Sequence, residues 1–226
     1  EGYPHCTTFA FARGDACFLG ATPERLVRVD RPASDGHDAP SRVRADCLAG
    51  SARRGATEEE DRRLGEALLA DPKERHEHAV VVRALRDGIE PLCSRLDIPE
   101  APGLLRMPNV QHLYTPIEGV LSAERGVLEL VERLHPTPAA GGLPREAALR
   151  LMRRYEPFDR GWYAGPAGWV DGRGEGEFAV AIRSALIRGQ EAFLYAGCGI
   201  VAGSDPEREY AESCLKLRTM LRALNG

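Results

Sequence analysis

The sequence predicts an α+β fold with a largely antiparallel β-sheet flanked by helices. Three observations predict it. Strand-like segments come first, helical segments follow and strands return near the end, an order that keeps helices apart from an antiparallel sheet. The late strands are joined by short Asp/Gly turns, as in a meander. Two helical segments open with capping signals.

The elements follow in chain order. Residues 7–12 (Thr-Thr-Phe-Ala-Phe-Ala) and 17–21 (Cys-Phe-Leu-Gly-Ala) flank Arg13-Gly14-Asp15-Ala16 and read as a hairpin. A strand from Arg25 to Val29 runs into a polar surface loop, Asp30 to Pro40. Glu58 to Leu69 is a charged amphipathic helix. Asp71-Pro72 starts a longer helix to about Leu96, with Asp71 as N-cap, Pro72 as first helical residue and Glu74 as returning partner of a capping box. A Pro-rich link, Ile98 to Pro108, precedes the stretch Asn109 to Ile117. Residues 122–134 look helical, His135 to Pro144 is a loop, and Pro144 opens a helix to about Tyr155. Strands at about 161–170, 177–188 and 191–201 are joined by Asp171-Gly172-Arg173-Gly174 and Gly189-Gln190. Ser204-Asp205-Pro206-Glu207 has the form of a second capping box and starts a final helix through about Leu224. No composition break divides the chain, so residues 1–226 are expected as one domain.

Composition narrows the function classes. The 226 residues, 43% hydrophobic, suffice for a substantial core. With 34 acidic against 30 basic residues the chain is net negative, which argues against nucleic acid as partner. No apolar run approaches the roughly 18 residues of a membrane span. The opening Glu1-Gly2-Tyr3-Pro4-His5 has neither the charged nor the apolar region of a secretory signal. The expectation is a soluble, cytoplasmic protein without nucleic-acid or membrane partners. Cys6, Cys17, Cys47, Cys93, Cys198 and Cys214 include no Cys-x-x-Cys pair and are expected as free thiols.

Several side chains suggest chemistry. Glu74 and Glu77 are three apart on one helix, and Glu209 and Glu212 are three apart on another, so each helix presents a carboxylate pair on one face. Facing pairs would repel unless a cation lies between them, and all-oxygen ligands suit Mg²⁺. The alternative is two solvated faces, with Glu212 and Lys216 as an ordinary i,i+4 pair. Arg183 stands among Ala179, Ala181 and Ala185 on one face of an expected strand, where its planar fork suits a carboxylate. Gly197 and Gly199 share a face of the next strand and would let a ligand approach the backbone. Gly50-Ser51 offers N–H groups to an anion or is a plain turn. Glu24, after Pro23 at the end of an apolar strand, is either a desolvated general acid or an exposed loop acid. His112, His76 and His78 are read as ordinary hydrogen-bonded histidines, and Trp162, Trp169 and Tyr163 as packing for the meander. Gly172-Arg173-Gly174-Glu175-Gly176 is a turn rather than a phosphate cradle.

Taken together, these stretches resemble the chorismate-utilising enzymes, the family of isochorismate, salicylate, anthranilate and aminodeoxychorismate synthases. The matching pieces run in order through nearly the whole chain. They begin with Ala21-Thr-Pro-Glu-Arg-Leu, Leu48-Ala-Gly-Ser-Ala-Arg-Arg-Gly, Lys73-Glu-Arg-His-Glu-His and Gln111-His-Leu. Leu134-His-Pro-Thr-Pro-Ala-Ala-Gly-Gly-Leu-Pro and Gly161-Trp-Tyr-Ala-Gly-Pro-Ala-Gly-Trp follow. Phe178-Ala-Val-Ala-Ile-Arg-Ser-Ala, Leu194-Tyr-Ala-Gly-Cys-Gly-Ile-Val and Ser204-Asp-Pro-Glu-Arg-Glu-Tyr-Ala-Glu-Ser-Cys-Leu-Lys complete the set. The Leu-Ala-Gly-Ser and His-Pro-Thr-Pro-Ala stretches look most like isochorismate synthases.

The resemblance implies the chorismate-binding fold, the substrate pair chorismate and isochorismate, and Mg²⁺ as cofactor. Glu77 and Glu212 would bind the metal, with Glu74 and Glu209 in the same cluster partly through water, and the metal would hold the ring carboxylate. Arg183 would take the enolpyruvyl carboxylate, helped by Tyr195 and the Gly197 backbone, while Gly50, Ser51 and Lys216 line the pocket. Glu24 would be the general acid for the departing C4 hydroxyl as water attacks C2. His112 resembles the pocket histidine, and Ala139 and Tyr163 sit where the family tunes its outcome; a small residue at 139 resembles isochorismate rather than salicylate synthases. The family's general-base lysine lies upstream of the Thr-Pro-Glu motif, whereas no lysine precedes Glu24 here. The chain therefore reads as the C-terminal part of the usual fold, lacking its N-terminal strands and monomeric in the complete protein. The alternatives are a salicylate synthase and a non-catalytic chorismate- and metal-binding fragment or paralogue.

Overall fold

A computed structural model describes residues 6–31 and 40–225. The chain builds two antiparallel sheets. β1 (Thr7–Arg13) and β2 (Ala16–Thr22) form the expected hairpin, and the chain then enters the larger sheet through β3 (Arg25–Asp30) and β4 (Arg42–Arg53). Two helices follow, α1 (Glu58–Ala70) and α2 (Pro72–Ile89). Strands β5 (Cys93–Asp97), β6 (Gly103–Arg106) and β7 (Val110–Leu121) precede three helices, α3 (Val127–Leu134), α4 (Pro138–Gly141) and α5 (Arg145–Tyr155). The chain closes with β8 (Pro166–Val170), β9 (Gly176–Val180), β10 (Ser184–Arg188), β11 (Glu191–Tyr195) and α6 (Pro206–Asn225).

The seven-stranded sheet has the order β5-β7-β4-β3-β9-β8, with β6 also paired to β7; the four-stranded sheet has the order β1-β2-β10-β11. The main core lies where α2 and α3 cover the larger sheet. Leu26, Val27, Val29, Val43 and Ile117 from strands meet Val81, Leu85, Ile89, Leu130 and Leu134 from helices, all buried. Such burial is the chief stabilising term, at about 1.5–3 kcal/mol per large aliphatic side chain. Among the described residues no helix is long and apolar enough to cross a membrane.

Several boundaries differ from the sequence reading. The helix expected to reach Leu96 ends at Ile89, a short 3₁₀ turn spans Glu90–Leu92, and Cys93–Asp97 pairs with β7. Pro91 lacks the N–H that a continuing helix needs. Gly50-Ser51 is no turn: it lies inside the twelve-residue strand β4. The Pro-rich link contains β6, the helix expected from residue 122 begins at Val127, and residues 161–164 form turns before β8. The strand expected to run to 201 stops at Tyr195. Most of the loop Asp30 to Pro40 lies outside the described residues.

The largest difference concerns residues 177–188. They form no single strand of a meander: β9 belongs to the larger sheet and β10 to the smaller. The chain crosses over Ala181–Arg183. The Ile182 N–H donates to the Val180 carbonyl at 2.7 Å, the Ser184 hydroxyl donates to the Ala181 carbonyl at 3.1 Å, and Arg183 has φ +51°. Period-two alternation therefore fails at Arg183, the hinge between sheets. A non-glycine residue in this left-handed region is uncommon and costs energy that the surrounding hydrogen bonds must offset.

Candidate active site

The crossover places one cavity at the junction of the two sheets. Together with open solvent at its mouth it spans about 750 Å³. Its wall includes Glu24, Gly50, Ser51, Glu77 and His112, and also Ala139, Tyr163, Arg183, Gly197 and Lys216. Ten residues expected to form a site are thus brought together from separate parts of the chain. Tyr195 stands behind the wall, its ring stacked on Tyr163 at 5.2 Å between centroids. Glu74, Glu209 and Glu212 border an adjoining cavity that shares Ser51.

The positions follow from local structure. Between Leu48 and Ser51 the β4–β7 register shifts, because β4 carries one extra residue there. Gly50 takes up the bulge with φ +83°, a conformation open to glycine at no steric cost. A Cβ on Gly50 would also lie 3.1 Å from Glu74 Oε2. The bulge turns the Ser51 N–H toward that oxygen, at 3.2 Å, and sets Ser51 opposite His112.

His112 is buried and uses both ring nitrogens. Arg183 Nη2 lies 3.2 Å from Nε2, and Ser51 Oγ lies 2.9 Å from Nδ1. A guanidinium only donates, so Nε2 accepts and Nδ1 carries the proton. Burial, then the charges of Arg183 and Lys216, hold the imidazole pKa well below its usual value. His112 is therefore neutral and orients Arg183. That guanidinium is itself buried and has no carboxylate partner in a salt bridge among the described residues. Burial lowers its pKa, with Tyr163 and Glu24 acting the other way. A buried cationic fork beside an open cavity suits an anionic ligand.

Glu24 is buried at the end of the β2–β3 connection, its N–H bonded to the Thr22 hydroxyl at 3.2 Å. Burial pushes its pKa up to about 7, against the opposing pull of Arg183 and Lys216. The general-acid reading of this residue requires such an environment.

The acidic pairs meet cations. Asp71 caps α2 by accepting from the Lys73 and Glu74 N–H groups, at 2.9 and 3.2 Å. Glu74 does not return to close a capping box: it turns to Ser51 and Lys73. The Lys73 ammonium lies 3.1 Å from Glu74, 3.1 Å from Glu77 and 2.8 Å from Glu209, joining α2 to α6. On α6, Asp205 rather than Ser204 is the cap, accepting from the Arg208 N–H at 3.0 Å. Lys216 lies 2.5 Å from Glu212 and donates to the Gly197 carbonyl at 3.2 Å. Burial raises the Glu77 pKa although Lys73 opposes it, with Glu212 adding to the rise. Burial acts against the charge of Lys73, yet Glu209, Glu77 and Glu74 outweigh it and raise the pKa.

As the side chains stand, no three His, Cys, Asp or Glu among the described residues are grouped to hold a metal ion. The donor chemistry nevertheless fits Mg²⁺, because carboxylate oxygens are its usual protein ligands. Among the described residues Glu209 Oε2 is buried without a hydrogen-bond partner, and the Lys73 ammonium stands as a cation among three of the four glutamates. The residues present therefore fit the group.

Other expectations are met or corrected. His78 is structural, bonded to the Ala49 carbonyl at 3.0 Å and to the Thr115 hydroxyl at 2.8 Å. All six cysteines are free. Trp162 and Trp169 are exposed rather than core, and Tyr163 lines the cavity. Sequence reasoning missed Lys73 as partner of the glutamates, although its i,i+4 spacing to Glu77 is the ordinary ion-pair signal. It also missed Arg160, which binds Glu156 through two nitrogens and donates to the Ala140 carbonyl at 2.7 Å, bracing the wall at Ala139. A loop arginine four residues after a glutamate was a weaker signal.

Known proteins share this architecture. Salicylate biosynthesis isochorismate synthase of Pseudomonas aeruginosa is 52% identical over 218 residues, covering 96% of this chain and 44% of that protein. Isochorismate synthase MenF of Bacillus subtilis is 47% identical over 218 residues, with the same 96% and 44% shares. The solved structure of DhbC from Bacillus anthracis superposes with a TM-score of 0.91 at 40% identity, covering 99% of this chain and 59% of that one. The chain thus spans under half the length of those two curated relatives. The family model described as chorismate binding enzyme matches residues 1–225, and the chain belongs to that family.

Proposed function

We propose that the protein containing this chain is an Mg²⁺-dependent isochorismate synthase, which converts chorismate to isochorismate by water attack at C2 with loss of the C4 hydroxyl. One observation carries the reading: buried Arg183, which has no carboxylate partner in a salt bridge among the described residues, protonatable Glu24 and Glu77 share a single cavity. Chorismate has two carboxylates and a hydroxyl that must leave. Arg183, oriented by His112, grips the enolpyruvyl carboxylate through its fork. Glu77 and Glu212, with Glu74 and Glu209 beside them, would hold Mg²⁺, which supplies positive charge to the ring carboxylate.

Glu24 donates the proton that lets the C4 oxygen depart as water. With a pKa of about 7 it keeps a useful fraction protonated near neutrality and can still release the proton. The attacking water loses its own proton to a base, which the family resemblance places on a lysine upstream of Thr22. Tyr163, the Gly197 backbone and Ala139 shape the remaining wall. The six free thiols agree with a reducing cytoplasm as the working compartment.

Incubating the complete protein with chorismate and Mg²⁺ and separating the products by chromatography tests this. Isochorismate without pyruvate is the expected result. Stoichiometric pyruvate would favour a salicylate synthase, the reading nearest to it. Chorismate binding without turnover would make the protein a non-catalytic paralogue.

A further inference from the structure

We propose that Lys73 is a built-in counter-cation, which holds the glutamate cluster together in the metal-free protein and must leave when the divalent ion enters. The inference rests on the Mg²⁺ reading above and concerns a residue that reading does not use. Four observations carry it. The Lys73 ammonium contacts three carboxylates on two helices, Glu74 and Glu77 of α2 and Glu209 of α6, at 2.8–3.1 Å. These carboxylates are almost wholly buried, so without a cation their mutual repulsion would push the helices apart. Among the described residues Glu209 Oε2 is buried without a hydrogen-bond partner, so the ammonium leaves part of the cluster unsatisfied. Finally, Lys73 itself borders the adjoining cavity, whose wall includes Gly203 and Asp205.

An ammonium and a divalent ion cannot share the centre of this cluster. Mg²⁺ draws its oxygens to about 2.0–2.1 Å, whereas an ammonium keeps them at hydrogen-bond distance, and the two cations repel. The flexible four-carbon stem of a lysine lets the charge swing away without moving the backbone. Around that stem, a Cβ at Gly203 would only just touch Lys73 Cγ, at 3.7 Å. The adjoining cavity thus provides room, and the Asp205 carboxylate in its wall is the partner the displaced ammonium would take. Metal entry is an exchange of one cation for another, which weakens apparent affinity for the metal while keeping the metal-free cluster folded.

Two measurements on the complete protein test this. In the wild type, acetic anhydride labelling of Lys73, read by mass spectrometry with and without Mg²⁺, should run about tenfold faster with the ion present. An equal or slower rate with Mg²⁺ bound would overturn the proposal. In Lys73→Met, calorimetry should show Mg²⁺ binding about tenfold tighter than wild type. Its metal-free form should melt at lower temperature, with the deficit closed by saturating Mg²⁺. Unchanged or weaker binding, or a deficit that Mg²⁺ leaves in place, would overturn it. Should Lys73→Met fail to fold without metal, Lys73→Met with Glu209→Gln removes one repelling charge and should recover the metal-free fold; no recovery counts against the proposal. If calorimetry finds no Mg²⁺ binding to the wild type, the metal reading itself has failed, a result distinct from Mg²⁺ binding with Lys73 unmoved.

Discussion

Arg183 Nη2 lies 3.2 Å from Nε2 of His112, a buried contact between the crossover of the two sheets and strand β7. Because Nε2 must accept this bond, His112 is restricted to one tautomer, and its Nδ1–H faces Ser51 Oγ at 2.9 Å. The cationic end of the cavity is thereby oriented before any substrate arrives.

Arg183→Lys in the complete protein is expected to raise KM for chorismate by roughly ten- to a hundredfold, the equivalent of one lost charge-assisted hydrogen bond. An ammonium lacks the planar fork and loses its charge more readily when buried. Steady-state kinetics over a wide substrate range check this. An unchanged KM would remove Arg183 from carboxylate binding.

Glu24 makes the protein sensitive to pH with a definite sign. Its folded pKa of about 7 lies above the ordinary carboxylate value, so the folded state binds more protons than the unfolded state between those two values. This group's contribution is fully present below the unfolded pKa and is lost as pH rises through about 7. Glu24→Gln should therefore flatten the fall in melting temperature from pH 5 to pH 8, and melt roughly 2–4 °C above wild type at the alkaline end for each 1 kcal/mol of relieved burial cost. Turnover should fall by about 10²–10⁴ in the same variant. Parallel melting curves for the two proteins across this range would contradict the burial argument.

Gly199 sits against Glu77, and a Cβ there would collide with Glu77 Oε1. Gly199→Ala is expected to displace that carboxylate and weaken Mg²⁺ binding at least about tenfold, one ligand contact's worth, while circular dichroism stays unchanged. Calorimetry provides the check. Wild-type affinity would show that Glu77 Oε1 is not a ligand oxygen.

Glu212→Gln removes one negative charge and frees Lys216, which lies 2.5 Å from it. Turnover at limiting Mg²⁺ should drop by roughly tenfold or more and recover in part at high Mg²⁺, as a lost ligand demands. Identical Mg²⁺ titrations for variant and wild type would rule the residue out as a ligand.

Local chemistry alone made part of this protein legible. The Asp71 cap, the i,i+3 glutamates and the Asp/Gly hairpins depend on residues close in the chain, so spacing and turn residues reveal them. Resemblance carried the site residues further, and ten of them line one cavity. Tertiary contacts decided the rest. Alternation in residues 177–188 gives no hint that β9 and β10 join different sheets, because the break is imposed by the partners each half finds. Gly50-Ser51 looks like a turn until β7 pairs across it and shows a bulge inside β4. Lys73 bonds to Glu209 over a long stretch of sequence, and only the tertiary placement of Glu209 on α6 beside the start of α2 makes its ammonium the centre of an acidic cluster. Short-range patterns set each element's type, whereas its partners depend on free energy summed over distant contacts, which no window of sequence contains.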